Sequence, residues 1–379
     1  MNITIRKVSS KKEMKSFIRF GNRLYKGNPY YVPKLHSDDA ATFDKTKNGA
    51  YEFCEADFFL AYRGKDIVGR VAAIINHRAN EAWNLKQVRF GWIDFIEDIS
   101  VAEALLDTVA RWGKEKGMNA IAGPLGFTDF DPEGMLIEGF DLLGTTITIY
   151  NHKYYPEFME KLGFEKEVDW VEYRIKMPEA LPERFKKMAR IVMEKNKVTI
   201  KRLTKSQVNN EQYGQKLFNL INEAYQKLYG YSELTERQID QYVKQYLGFI
   251  DMDMVSFVEN EEGELVAAGI TIPSLAKPLQ KANGELLPTG WLHLLNRLFV
   301  NKGDTLELLL VAVKPEYQNK GLNALLFMDI IPNLIKLGFK YAESNPELEN
   351  NTKVQMLWSA FENEIHKRRR VYAKEISLD

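Results

Sequence analysis

A chain of 379 residues exceeds the roughly 250–300 at which single hydrophobic cores stop growing, so two domains are expected. Its 52 basic residues balance 52 acidic ones, which excludes a global field for nucleic acid or a membrane; any anion site must be local. Cys54 is the single cysteine, so no intrachain disulfide forms, and the five histidines lack metal-ligand spacing. The start, "MNITIRKVSSKKEMKSF", lacks the apolar stretch of a signal peptide, and no apolar run is long enough to span a bilayer. The expectations are a cytoplasmic protein with no metal, no membrane span and no nucleic-acid partner.

In chain order, "ITIRKVSSKKE" from Ile3 reads as a strand with a polar exit toward a helix, and "FFLAYRGKDIVGRVAAII" from Phe58 as a β-hairpin. The apolar strand "FGWIDFI" (Phe90 to Ile96) precedes a helical stretch in which Ser100 and Glu103 have capping-box spacing. "TDFDPEGM" from Thr128 superficially matches half a calcium loop, but its twelfth position is Phe140, so calcium is discounted. With "YNHKYYPE", this loop is expected to shape an acceptor cleft. Pro178 and Pro182 in "KMPEALPERF" break regular structure before a helix over 183–195, which places a boundary near residue 180.

The same order then recurs. "VTIKRLTKSQV" from Val198 follows the first strand by 195 residues, "VSFVENEEGELVAAGITI" matches the hairpin at an offset of 198, and Asn351 follows Asn151 by 200. Residues 1–180 and 181–379 therefore read as two copies of one α/β module, each a mixed, mostly antiparallel sheet flanked by helices.

The two copies differ at one turn. In the second, the strand "LELLLVAV" (Leu306 to Val313), expected to be covered on both faces, leads through Pro315 into Gln318, Asn319, Lys320, Gly321, Leu322, Asn323 and Ala324. A helix starting there points unpaired N–H groups outward, Gly321 removes an obstructing side chain, and Lys314 and Lys320 add positive charge. In the first copy, the equivalent turn carries Glu97, Asp98 and Glu103 and satisfies its own amides. Only the second module is expected to bind a phosphorylated cofactor.

"LLLVAVKPEYQNKGLNALLF" resembles the acyl-CoA-binding segment of the GCN5-related N-acetyltransferase (GNAT) superfamily: an apolar strand, a Q/R-x-x-G-x-G/A turn, then a helix. Asn323 departs from the usual last Gly or Ala. "NTKVQMLW" and "NHKYYPEFMEKLGF" resemble the superfamily's later N-x-x-A-x-x-L-Y motif, and "GPLGF" and "GFD" resemble a bacterial group of tandem acetyltransferase-like proteins. The resemblance implies the acyl-CoA N-acyltransferase fold in both modules and acetyl-CoA or another acyl-CoA as co-substrate. It further implies that Val311, Ala312 and Val313 pair with the pantetheine arm, amides of 319–324 hold the pyrophosphate, and Asn351 and Trp358 lie on the cofactor. The first module becomes a degenerate partner. The implied reaction is acyl transfer, acetyl transfer above all, to a small-molecule or peptide amine.

Such a reaction needs a proton acceptor for the ammonium and often an acid for the departing thiolate. In the superfamily that acid is often the tyrosine of the last motif, but Trp358 and Phe158 stand there. Glu307 and Glu343 are the carboxylates near the expected cleft, either catalytic or merely strand-end residues. Tyr225, Tyr229 and Tyr231 lie in the acceptor-facing region by resemblance, or else pack a helix face. "HKRRR" (His366 to Arg370) reads as a solvated approach to the last strand or as a phosphate neutraliser. Two alternatives stay open: an aminoacyl-tRNA-dependent aminoacyltransferase of the peptidoglycan-building type, and a non-catalytic CoA-binding or scaffold protein.

Overall fold

A computed structural model describes residues 2–246 and 249–377. The chain forms two compact units: Met1–Val171 with Leu275–His293 and His366–Asp379, and Glu172–Ser274 with Leu294–Ile365. Where the sequence places a boundary near 180, the units divide at Val171/Glu172, and two later segments pack with the first unit.

The first repeat runs β1 (Ile3–Lys7), α1 (Lys11–Leu24), α2 (His36–Thr42), β2 (Cys54–Arg63), β3 (Asp66–Asn76), α3 (His77–Ala82), β4 (Gln87–Phe95), α4 (Ile99–Glu115), β5 (Ala120–Gly123), β6 (Met135–Glu138), α5 (Tyr154–Lys161) and β7 (Glu165–Lys176). α6 (Glu183–Asn196) follows. The second repeat runs β8 (Val198–Lys201), α7 (Lys205–Asn210), α8 (Tyr213–Tyr225), α9 (Glu236–Tyr246), β9 (Val255–Asn260), β10 (Leu265–Pro273), α10 (Ala276–Ala282), α11 (Gly290–Leu295), β11 (Thr305–Val313), α12 (Leu322–Lys336), β12 (Tyr341–Ser344), β13 (Glu347–Leu348), α13 (Thr352–Trp358) and β14 (Asn363–Glu375). The strand order read as duplicated in the sequence recurs, with one more helix before the hairpin and one more after it in the second repeat.

In unit 1 the strands lie in the order β1-β2-β3-β4-β5-β14. Side-chain alternation separates two cores. Phe59, Ala61, Val71, Ala73 and Ile75 face α4 through Val101, Leu105 and Val109. Phe58, Leu60, Ala72 and Ile74 face α1 and α2 through Phe17, Ile18 and Phe43. In unit 2 the order runs from the end of β7 through β12-β11-β10-β9-β8. α6 and α12 cover one face, with Ala189 and Val192 packed among Leu322, Leu325, Val258 and Val266.

The last strand of each repeat is exchanged. β14 pairs antiparallel with β5, Tyr372↔Gly123 to Glu375↔Ala120, and β7 pairs with β12, Tyr341↔Lys176 to Glu343↔Arg174. This placement corrects the reading of "HKRRR" as solvated. Lys367 and Arg369 are buried within β14, and Arg370 grips Asp169 bidentately at 2.8 and 3.0 Å. A single sequence shows no sign of such an exchange, because the strand's alternation is unchanged by its partner.

Candidate functional site

β11 pairs in parallel with β12 only from Thr305↔Tyr341 to Leu308↔Ser344. Beyond Ser344 the two strands have no shared register. On the other side, a bulge in the pairing with β10 skips Leu309 between Leu308 and Leu310. The middle of β11 is therefore not covered on both faces as expected, and Val311 is 38% exposed. Three side chains donate to its outward carbonyls: Asn345 Nδ2 to Leu309, Tyr225 Oη to Val311 at 3.0 Å, and Gln318 Nε2 to Val313 at 3.2 Å. A row of acceptors along an open strand edge suits an extended, amide-bearing ligand, which would displace these donors.

The strand leads directly into the predicted helix start. α12 begins at Leu322 after Gly321, whose φ of +85° is left-handed and whose added Cβ would lie 2.9 Å from Val192. Asn319 is also left-handed, at φ 61°. Among the described residues, the Lys320 and Ala324 amides bond to Tyr317 and Gly321 carbonyls, while those of Asn319, Gly321, Leu322 and Asn323 meet no acceptor. The side chains of Leu322 and Ala324 point into the core, so they contribute backbone alone. Lys314 is not the free cation the sequence suggests: Glu264 binds it, with Glu316 at 3.3 Å and Glu223 at 3.8 Å. Attraction for an anion at this turn rests on the amides and the helix dipole, with exposed Lys320 beside them.

The equivalent start in unit 1 is closed, but not by the expected box. Asp98 is the cap of α4, accepting the Ser100 amide at 3.0 Å and the Ser100 hydroxyl at 2.6 Å, with Arg63 on its second oxygen. These bonds hold the Asp98 carboxyl below its usual range. A carboxylate occupies the place where a phosphate would sit.

The expected catalytic carboxylates are cross-strand neighbours, Glu307↔Glu343, with Arg174 next in the row. Glu307 is buried and accepts Ser274 Oγ at 2.8 Å, while Glu343 is half-buried. Tyr225 lies on the β11 edge, where burial pushes its phenol up to about 12, so it keeps its proton. Tyr231 is buried with its hydroxyl on Asn222, and Tyr229 is half-buried. Asn351 caps α13 through its backbone. Trp358 is buried and donates its indole N–H to Glu347 Oε1 at 2.8 Å.

Glu347 was missed by sequence reasoning. Burial raises its carboxyl to about 7 against the opposing hydrogen bonds from Trp358 and Ser344. Its second oxygen, Oε2, is buried. The signal was present, a Glu in "SNPEL" between a strand and the Trp358 helix, but nothing in spacing distinguishes it from a turn residue.

Unit 1 holds a cavity of about 70 Å³, lined by Tyr25, Arg70, Trp92, Asp94, Asn151 and Tyr155 among others. The loop with Pro132 and the segment around Asn151 both line it. Arg70 pairs with Asp94 at 2.7 Å and donates to the Phe17 carbonyl at 2.8 Å. The Tyr25 hydroxyl donates to Asp94 at 3.0 Å and lies 2.9 Å from the Tyr155 hydroxyl. Asn151 holds Leu136 through both its amide and carbonyl, at 2.7 and 3.0 Å. Arg70 and Asp94 are legible as charges inside the apolar strands "VGRVAAI" and "FGWIDFI".

No family model matches the chain. The fold is that of tandem GNAT proteins. A tandem GNAT protein from the clavulanic acid biosynthesis pathway superposes over all of both chains with TM-score 0.57 at 10% identity. A GNAT from Sphaerobacter thermophilus does so over 99% of this chain and 96% of its own, with TM-score 0.51 at 10% identity. In sequence, the chain is similar to Protein YghO of Escherichia coli K12, 27% identical over 98% of this chain and 95% of that one. It is also similar to the bacterial ceramide synthase of Caulobacter vibrioides, 25% identical over 84% and 82%. Among the described residues, no group of His, Cys, Asp or Glu could hold a metal ion, and no helix is long and apolar enough to cross a membrane.

Proposed function

We propose that the protein is an acyl-CoA-dependent N-acyltransferase whose donor site is the β11 edge and the start of α12. Residues 181–379 carry that site, and residues 1–180 form the partner module that shapes the acceptor cleft. The observation that carries this reading is the joining of an open strand edge to an uncapped 15-residue helix on one strand–turn–helix segment. Carbonyls of Val311 and Val313 suit the pantetheine arm; amides of Asn319, Gly321, Leu322 and Asn323 suit the pyrophosphate.

Bound acyl-CoA would supply a thioester carbonyl open to attack by an amine. Glu343, half-buried beside Glu307, takes the ammonium proton, and buried Glu307 orients it. Glu347 replaces the missing tyrosine: a carboxyl titrating near 7 holds a proton to give to the departing sulfur. Asn345, two residues before Glu347, binds the Leu309 carbonyl and so ties this loop to the donor edge. The acceptor is an amine. The likeness to a ceramide synthase favours a long-chain one, and the location read from the sequence is cytoplasmic.

The test is release of free CoA thiol from acetyl- and long-chain acyl-CoA across a panel of amines. Turnover is expected with at least one pair, with a rate that falls above about pH 7 and a Glu347→Gln variant lacking that limb. CoA binding without turnover on any amine would favour a non-catalytic CoA-binding protein.

A further inference from the structure

The connection between the hairpin and the central strand is short in the first repeat, residues 77–86, and long in the second, residues 274–304. The extra chain ends in an unusual helix. α11 continues through Asn296–Val300 as a wider turn, closed by the Asn301 amide on the Asn296 carbonyl at 2.8 Å. Five of its exposed residues are large and apolar: Trp291, Leu292, Leu295, Phe299 and Val300. At about 3.6 residues per turn, Trp291, Leu292 and Leu295 share one side, and the wider i→i+5 turn returns Phe299 and Val300 to it. Leu287, just before the helix, is 77% exposed, as is Val300. The opposite side carries His293 and Arg297, half-buried, and buried Leu298. The helix thus turns its apolar side outward, the reverse of a surface helix in a globular protein.

The surrounding charge indicates what covers this face. Lys277 and Lys281 on α10 are exposed. The one acidic residue in 275–300, Glu285, is already bound by Arg19 at 2.7 Å and His36 at 3.0 Å. In a chain of zero net charge, this segment is basic. The indole N–H of Trp291 is satisfied by the Pro288 carbonyl at 3.0 Å, so its ring can enter an apolar phase without stranding a donor. An outward row of Trp, Leu and Phe in a basic stretch of chain, with the Lys205 ammonium 5.6 Å from the centre of the Phe299 ring, is the composition of a helix that lies in the headgroup region of an anionic bilayer.

We propose that the helical segment of residues 287–300 docks this protein on the surface of an anionic lipid membrane. The proposal goes beyond acyl transfer and does not rest on it. The full-length protein is mixed with sedimentable vesicles of phosphatidylcholine alone and of phosphatidylcholine with phosphatidylglycerol. Wild type is expected to co-sediment with the anionic vesicles, more weakly at high salt. Trp291→Ser/Phe299→Ser should lose at least tenfold in affinity, while Leu85→Ser, at an exposed apolar residue elsewhere, should bind as wild type. Circular dichroism checks folding, and Val300→Ser serves as a milder second variant. Wild type that fails to bind either vesicle, or a double variant that binds equally, overturns the proposal. So does a lipid-free wild-type dimer that the double variant converts to monomer, since the face would then join two copies of the chain.

Discussion

The starts of α4 and α12 occupy equivalent places in the two repeats and have opposite chemistry. α4 opens on Asp98, a carboxylate bound to Ser100 and Arg63; α12 opens on left-handed Gly321 with four amides facing no acceptor. Duplication preserved the strand, the turn and the helix, and a few residues decide whether the helix dipole is spent on the chain's own carboxylate or left for a ligand. A similar contrast holds beside the strands. Unit 1 fills its cavity with a satisfied Arg70–Asp94–Tyr25 network, while unit 2 leaves β11 capped by three displaceable side chains.

Breaking the filled side should have the largest effect. Asp94→Leu leaves the buried Arg70 guanidinium without its partner, and an expected loss of about 3–5 kcal/mol would be read by chemical denaturation. A loss under about 1 kcal/mol would mean that water or Asp39 substitutes for the pair.

Glu347 sharpens the contrast through pH. Its folded carboxyl titrates near 7, above the ordinary 4.5, so the folded state holds the proton more tightly. That stability is fully present below pH 4.5 and is lost as pH rises toward 7. Glu347→Gln should therefore become more stable than wild type as pH rises across that window, by about 1 kcal/mol for a half-buried group. Unfolding curves at pH 5 and 8 test this; an unchanged difference would place the carboxyl at its ordinary value. The smallest effect is expected on the open side. Tyr225→Phe removes one donor from the Val311 carbonyl, at about 0.5–1.5 kcal/mol, and should tighten CoA binding by a few-fold up to about tenfold in calorimetry. Weaker binding would make the phenol a ligand contact rather than a placeholder.

Much of this was legible in the sequence. The repeat was visible because strand and helix periodicities survive divergence, and Gln318-x-x-Gly321 because a left-handed turn restricts residue type. Charge at the turn was only half legible: Lys314 counted as positive until folding placed Glu264 and Glu223 beside it. The cap at Asp98 instead of Ser100 differs by two residues, within the uncertainty of any helix end. Strand exchange, the Tyr25–Arg70–Asp94 cavity and the outward face of α11 depend on which elements meet in space. Arg70 and Asp94 stand out in the sequence as charges within apolar strands, but their meeting with Tyr25 does not.

The central claim is that one of the two helix starts binds the acyl donor. Isothermal titration of the full chain with acetyl-CoA should give one site per chain. Gly321→Glu, which forces a side chain into a left-handed turn and adds charge beside the amides, should weaken that site at least tenfold, about 1.4 kcal/mol. Asp98→Ser should leave it unchanged. Binding at two sites, or binding that survives Gly321→Glu and is altered by Asp98→Ser, would contradict the account.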